Sequence, residues 1–427
     1  MIPKITASTI YSTLGNNSSL IPLGIKDVAN SCGLTAASYL AGDKLEGKDR
    51  FIDEFGTQAI WLGGLPTFNF ILGKTLCMPK KFDSNIDVRI LKNKEILQAA
   101  QELAPTETVK NSIKHVAQNA KAYKGIALTK FIGATVLTAL SYFGLTKFRH
   151  KYTEDEIKKE YIEKQIAKQQ ANANIAFSSS FSQVHNSKTS KQPSFTGFQS
   201  FMFDPVKNLM IIDGVITGER LTHSRNGQDF MGYVIKEGSF WFFMYYAGKK
   251  IADMFEKHTE AKFNKSITLD ARVIEAEEFK NAFSDGTLKT HLEEFKLADK
   301  SDLDIYKFAV NSKDNLIINM AKKSNIIELY KKTDKVDTRK FIDLDALRGI
   351  HSQIEKLLSQ YENSGQTTNE FFTQLRKLKR GAVLKNIGAC IGALGIIAPS
   401  IMLIMRKLSP NSEYQVKKDV EAKLAQE

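Results

Sequence analysis

The run Ile387–Met405 constrains this chain more than any other stretch. It holds nineteen residues without a charge, bounded by Lys385 on one side and Arg406-Lys407 on the other. As a helix it extends roughly 28 Å at about 1.5 Å per residue, close to the hydrocarbon thickness of a bilayer. The pattern predicts a transmembrane helix over 386–406.

A second run, Phe131–Thr146, has sixteen uncharged residues between Lys130 and Lys147. It predicts an apolar helix over 126–148, with the flanking lysines reaching toward the interface. The charged stretch Thr153–Gln170 keeps Glu and Lys at helical spacing, so one long helix continues out of the apolar part into water.

These two runs belong to a larger repetition. Ile25-Lys26-Asp27-Val28 through Gly33 and Leu40 matches Val206-Lys207-Asn208-Leu209 through Gly214 and Leu221. Phe51 to Gly73-Lys74 matches Phe230 to Gly248-Lys249, and each contains one of the chain's two tryptophans, Trp61 and Trp241. Asp87-Val88-Arg89-Ile90-Leu91 matches Asp270-Ala271-Arg272-Val273-Ile274. Ala127–Ala134 matches Ala382–Ala389, with Lys121 and Lys124 upstream answering Arg376 and Lys379.

Four blocks in one order predict an all-α tandem duplication, each copy ending in an apolar helix. The copies cover 1–150 and 198–410, joined by a charged helix and a Ser/Asn/Gln-rich linker over 151–197, and followed by a polar tail over 411–427. The offset between the copies jumps before the last block, which predicts a charged helical insertion near 295–365 in the second copy. The weaker apolar blocks, 28–42, 56–73, 209–217 and 238–248, are short or flanked by charges such as Glu219-Arg220 and Lys236-Glu237. Whether they span or lie at the interface is open, and the second copies, 209–217 and 238–248, read as interfacial rather than spanning.

Small residues on the two apolar helices nominate a packing face: Gly388, Ala389, Gly392 and Ala393 on one, Gly133 and Ala134 on the other. The face suits packing of the two helices on each other or the self-association of two chains. Basic residues flank both helices: Lys130, Lys147, Arg376, Lys377, Lys379, Arg380, Lys385, Arg406 and Lys407. With a net charge of +13, the expected partner is an anionic leaflet of the bilayer. The charges are spread rather than clustered, and nucleic acid ranks last. Lys and Arg near the two helices are balanced between their ends, so orientation is not set.

No chemistry emerges. Gly73-Lys74-Thr75 has the ending of a P-loop, but Phe68 stands where its first glycine belongs. The seven histidines have no metal-ligand spacing, and Cys32, Cys77 and Cys390 are isolated and read as buried small hydrophobes. No catalytic, cofactor or metal residue is assigned, and an enzyme is not expected. Asp213, inside Leu209–Thr217, is the one acid that would be costly in a membrane. It is either a buried functional acid, part of a turn, or the wet face of a helix.

The expected protein is therefore a membrane-anchored structural or interaction protein in the cell membrane, with a large part facing the cytoplasm. The alternatives are an inverted-repeat, transporter-like membrane protein, and a peripheral basic helical protein binding anionic lipid or nucleic acid.

Overall fold

The computed structural model describes residues 7–15, 21–41, 43–77, 82–171, 205–298, 301–408 and 414–426. Among these there are helices, turns and one isolated antiparallel bridge between Leu329 and Val336, and no strand. The expected linker falls, from 172 on, outside the described residues.

In chain order the helices are α1 (Ala7–Leu14), α2 (Ile21–Leu40), α3 (Lys44–Ala59), α4 (Leu65–Cys77), α5 (Lys94–Glu102), α6 (Glu107–Gln118) and α7 (Ala120–Ala171). After the undescribed stretch come α8 (Pro205–Thr222), α9 (Gly227–Trp241), α10 (Gly248–Phe263), α11 (Ala271–Ile274), α12 (Glu277–Ser284) and α13 (Thr287–Ala298). The remainder are α14 (Asp302–Asn311), α15 (Leu316–Lys323), α16 (Leu344–Glu362), α17 (Thr368–Gly392), α18 (Ala398–Leu408) and α19 (Gln415–Leu424). The expected tail thus ends in a helix.

Side-chain oxygens start many of them. Asp43, Asn93, Thr106, Asn226 and Asp343 each accept from a backbone N–H of the first turn of α3, α5, α6, α9 and α16. Among the described residues, three π turns lie between consecutive helices: Ile60–Gly64 joins α3 to α4, Phe242–Ala247 joins α9 to α10, and Ala393–Ile397 joins α17 to α18. Pro66 and Pro399 follow closely on two of them. A proline cannot donate to the carbonyl four residues back, and the wider turn accommodates that break.

The chain divides into two compact units. The first comprises 1–24, 69–132 and 246–389. It has one apolar core, in which Ala99, Ala100, Val109 and Ile113 pack with Phe279, Ile317, Met320, Leu357 and Phe371. Three Asp-x-Arg motifs sit in this unit with one local geometry. Arg89 Nε donates to Asp87 at 3.0 Å, Arg272 Nε to Asp270 at 3.1 Å, and Arg339 Nε to Asp337 at 2.9 Å. In each, the arginine's own backbone N–H also donates to that carboxylate. At the same spacing beyond each arginine stands the residue before the next helix: Asn93, Ala276 and Asp343.

The base of α17 is bound into this unit by its cations. Arg376 donates to the carbonyls of Ile274 and Glu275, Lys379 Nζ donates to the Ile267 carbonyl at 2.7 Å, and Arg380 forks onto Glu275. The cluster expected at a lipid surface is therefore largely engaged within the unit, while Lys377 and Lys385 are exposed.

The second unit comprises 25–68, 133–245 and 390–427. Its polarity is inverted. Buried inside are Lys26, Asp27, Asp49, Arg50, Asp53, Glu54, Arg149, Asp213, Arg220, Lys236 and Glu237. Large apolar side chains point outward, among them Leu40, Phe51, Val136, Leu140, Phe230, Val234, Ile396, Ile397, Ile401 and Ile404. Small apolar clusters remain within, such as Tyr142 with Ile212 and Ile216, and Tyr414 with Leu45 and Ile157.

Two helices among the described residues are long and apolar enough to cross a membrane. They are α7, within Ala120–Ile166, and the α17–π–α18 rod, within Thr368–Lys407. Only 22% and 33% of their most apolar windows are buried, so most of each window faces outward.

Candidate functional site

The inner face of the second unit is a network of paired charges carried by four helices. Asp49, Arg50, Asp53 and Glu54 fall on one side of α3 at helical spacing. Asp53 faces Arg149 of α7 at 3.2 Å and Arg220 of α8 at 3.3 Å. Lys236 of α9 meets Glu54 at 2.7 Å, and Arg220 pairs with Glu237. Beyond these, Arg225 bridges Asp49 at 2.6 Å and Asp229 at 3.1 Å. Asp49 also accepts from Thr153 at 2.7 Å and from the Tyr414 hydroxyl at 3.1 Å. The carboxylates Asp49, Asp53, Glu54, Asp229 and Glu237 are matched in number by Arg50, Arg149, Arg220, Arg225 and Lys236. Buried charges persist only when paired in this way.

The contacts also fix direction. Thr57 meets Tyr142, Asp53 meets Arg149 and Asp49 meets Thr153, so α3 and α7 run antiparallel. Asp49 meets Arg225 while Glu54 meets Lys236, so α3 and α9 run parallel. Gly33 of α2 lies against Gly395 and Pro399, and Ala29 against Gly395, so α2 and α18 also run parallel. Ser31 bonds Glu54 and Gln58 while Tyr39 lies on Gly47, so α2 opposes α3. It follows that α7 and α18 point the same way.

Two cavities open on the network. One of about 20 Å³ is lined by Asp27, Asn30, Ser31, Glu54, Asp213, Arg220, Lys236 and Glu237, with Thr57, Ile216 and Phe240. A larger one, about 600 Å³, lies among Asp49, Arg50, Asp229, Met231, Met402 and Tyr414. Among the described residues no three His, Cys, Asp or Glu side chains converge as a metal site.

Asp213 does stand in a polar interior. It is 8% exposed, α8 is continuous through Asp213-Gly214 with no turn, and the Tyr245 hydroxyl donates to its carboxylate. Of the small-residue face, Ala134 and Ala393 are buried and Gly133 is half-buried. Ala389 is exposed, and a Cβ added at Gly388 or Gly392 would meet nothing within 4 Å. The close approach of helices falls instead at Gly33, where a Cβ would collide with the Gly395 carbonyl.

Among the flanking cations, Lys130 is half-buried near Gly73, Lys147 covers the Phe143 ring at 4.4 Å, Arg406 pairs with Glu46, and Lys407 is exposed. Cys77 and Cys390 are buried, but Cys32 is exposed. Glu219-Arg220 and Lys236-Glu237, expected at an interface, instead supply three buried members of the network, and Glu219 is half-buried.

Comparison with protein-family models, with curated proteins and with solved structures returns no match.

Proposed function

We propose that the chain is an integral membrane protein whose second unit lies in the bilayer, and that its first unit is the soluble face that meets partners. One observation carries this reading. The second unit buries its charges and exposes its apolar side chains, the reverse of what water selects. Leu140, Ile396 and Ile397 are 60%, 65% and 57% exposed. Each such side chain forgoes about 1.5–3 kcal/mol if it faces water, and none of that if it faces lipid. Charged groups that face inward and pair with one another are the form in which a membrane bundle tolerates them.

The spans are Phe131–Thr146 and Ile387–Met405. Both point the same way, so the chain crosses back an odd number of times between them. Within the second unit α9 runs oppositely to both, and it continues through its π turn into α10. Its uncharged stretch, Gly238–Gly248, is short, and Lys236 and Glu237 at its edge are neutralised by Glu54 and Arg220.

The same geometry favours an anchor over an inverted pair of transporter repeats. Ala100 and Met320, one from each expected copy, share one core and so lie on one side of any membrane. The matched helices α3 and α9 run parallel, whereas an inverted pair would have them opposed.

A duplication is supported by matched local structure. The two tryptophan blocks each have a π turn at corresponding places, and the Asp-x-Arg motif recurs with its arginine fork. If the third motif, Asp337-Thr338-Arg339, answers Asp87-Val88-Arg89, the extra length of the second copy lies over 270–336, overlapping the expected insertion near 295–365.

Cysteine labelling from each side of sealed vesicles tests the reading, in a chain lacking its three native cysteines. Cysteines at Glu95 and Lys313 are expected to label from one side, and those at Glu163 and Lys423 from the other. All four labelling from one side would leave a peripheral protein.

A further inference from the structure

The run Gly56–Gly73 is uncharged for eighteen residues and belongs to the rod made by α3, its π turn and α4. In the second unit this rod lies antiparallel to α7. A Cβ added at Gly56 would strike the Leu145 side chain, Thr57 meets the Tyr142 hydroxyl at 2.7 Å, and Asp53 meets Arg149 at 3.2 Å. In the first unit a Cβ added at Gly73 would come within 3.5 Å of the Lys130 ammonium. One end of the run thus lies beside Leu145 and the other beside Lys130, and α7 is a single helix from one to the other. Between those two residues lies nearly all of the proposed span Phe131–Thr146. Two uncharged runs from separate parts of the sequence therefore start and stop beside each other. Their lengths agree, about 27 Å for eighteen residues against about 24 Å for sixteen.

Charged contacts fix where the rod begins. Lys48 lies 3.8 Å from Glu156, Glu46 pairs with Arg406, and Asp43 lies 3.7 Å from Lys417. Glu156 follows Phe131–Thr146 in sequence and Arg406 follows Ile387–Met405, so α3 starts where both proposed spans end. The other end of the rod leads to α5 and α6, whose Ala99, Ala100, Val109 and Ile113 belong to the core of the first unit, before the chain enters α7. The charges of the rod's buried face, Asp49, Arg50, Asp53 and Glu54, all precede Gly56, so none falls within the run.

The outer face of the run is apolar. Leu62, Phe70 and Ile71 are 49%, 61% and 49% exposed, and Pro66 is exposed between them. Val136 and Leu140, on the stretch of α7 that the run accompanies, are exposed as well. Lys74, the first cation after the run, folds back over the Phe70 ring at 4.4 Å. Lys147 does the same over Phe143 at the end of the α7 run. A lysine laid along an aromatic ring at the end of an apolar run suits the boundary between lipid and water.

We propose that Gly56–Gly73 is a further membrane crossing, antiparallel to Phe131–Thr146. Its face bearing Leu62, Pro66, Phe70 and Ile71 contacts the acyl chains of bilayer phospholipid, and Lys74 reaches toward their phosphates. The proposal rests on the reading that α7 spans the bilayer and adds to it, because a rod that keeps level with a span at both ends crosses with it.

The test is cysteine labelling of the full chain in sealed vesicles. Cys32→Ser removes the exposed native cysteine, and the buried Cys77 and Cys390 are kept, so the interior is left intact and that chain sets the background. Lys44 and Thr75 are both exposed. Lys44→Cys is expected to react with a membrane-impermeant maleimide from the side of Glu163→Cys, and Thr75→Cys from the side of Glu95→Cys. Phe70→Cys is expected to resist that reagent from either side and to react with a bilayer-soluble one. If Glu95→Cys and Glu163→Cys label from opposite sides while Lys44→Cys and Thr75→Cys label from one, α7 spans without α4 and this proposal alone falls. Glu95→Cys and Glu163→Cys labelling from one side overturns both the proposal and the reading it rests on. Labelling of Phe70→Cys by the impermeant reagent overturns the lipid contact.

Discussion

Lys236 Nζ lies 2.7 Å from Glu54 Oε1, and both side chains are 3% exposed. Their residues are 182 apart in sequence by subtraction of the two numbers, so the pair exists only in the folded unit. Removing one partner takes from the other its nearest counter-charge in a buried network, where Glu237 and Asp53 stand farther from Lys236, at 3.6 and 3.8 Å. Glu54→Met alone is expected to cost about 3–5 kcal/mol of stability. The double change Glu54→Met with Lys236→Met is expected to recover most of it. A thermal or denaturant melt of the three variants in detergent checks this, and additive losses would show that the pair is not coupled.

Gly33 and Gly392 are both glycines on apolar helices, with opposite surroundings. A Cβ at Gly33 would strike the Gly395 carbonyl, while one at Gly392 meets nothing within 4 Å. Gly33→Ala is expected to lower stability by about 1–3 kcal/mol, as overpacking does. Gly392→Ala is expected to be neutral or to gain up to about 1 kcal/mol from helix propensity. The same melts distinguish the two.

Ile397 is 57% exposed on the rod that ends in α18. In water, replacing an exposed residue by a charged one changes stability by no more than about 0.5 kcal/mol. In the hydrocarbon core an aspartate costs about 2.5–3.5 kcal/mol of insertion free energy. Ile397→Asp is expected to cut the membrane-inserted fraction several-fold. Unchanged insertion would place this face outside the lipid.

Asp83 in the first unit accepts from Arg339 Nη1 at 2.7 Å and from the backbone N–H of Asn85 at 2.9 Å. Burial raises the carboxyl, but these hydrogen bonds and the arginine charge outweigh it and hold the group below the ordinary aspartate value. A depressed carboxyl contributes stability that is full above the unfolded-state pKa, about 3.9, and lost as pH falls through the folded value. Asp83→Asn is expected to cost about 1 kcal/mol at pH 7. That gap should close below about pH 4. A gap independent of pH would mean that the charge of Asp83 does not matter.

Much of the first unit was legible in the sequence. Apolar residues at helical spacing, Ile350, Ile354, Leu357, Leu358 and Tyr361, mark the face of α16 that meets the core, and all five are buried in it or packed against it. The two apolar helices were legible from composition alone. The charge network was not. Lys236 and Glu237 read as excluded from the interior because their partners, Glu54 and Arg220, sit on other helices. Nothing in a single segment shows that a charge will be neutralised by a distant one. A usable signal was present in Arg50, Asp53 and Glu54, whose mixed charges share one helical face beside the apolar run from Gly56. The Gly33–Gly395 contact was missed for a related reason: glycine spacing along one helix does not say which glycine meets a neighbour.

The central claim is that the apolar helices Phe131–Thr146 and Ile387–Met405 sit in lipid. Alkaline carbonate extraction of membranes from cells producing the full chain tests it most directly. The account predicts that the protein stays in the pellet with integral membrane proteins. Its release into the supernatant would contradict the account.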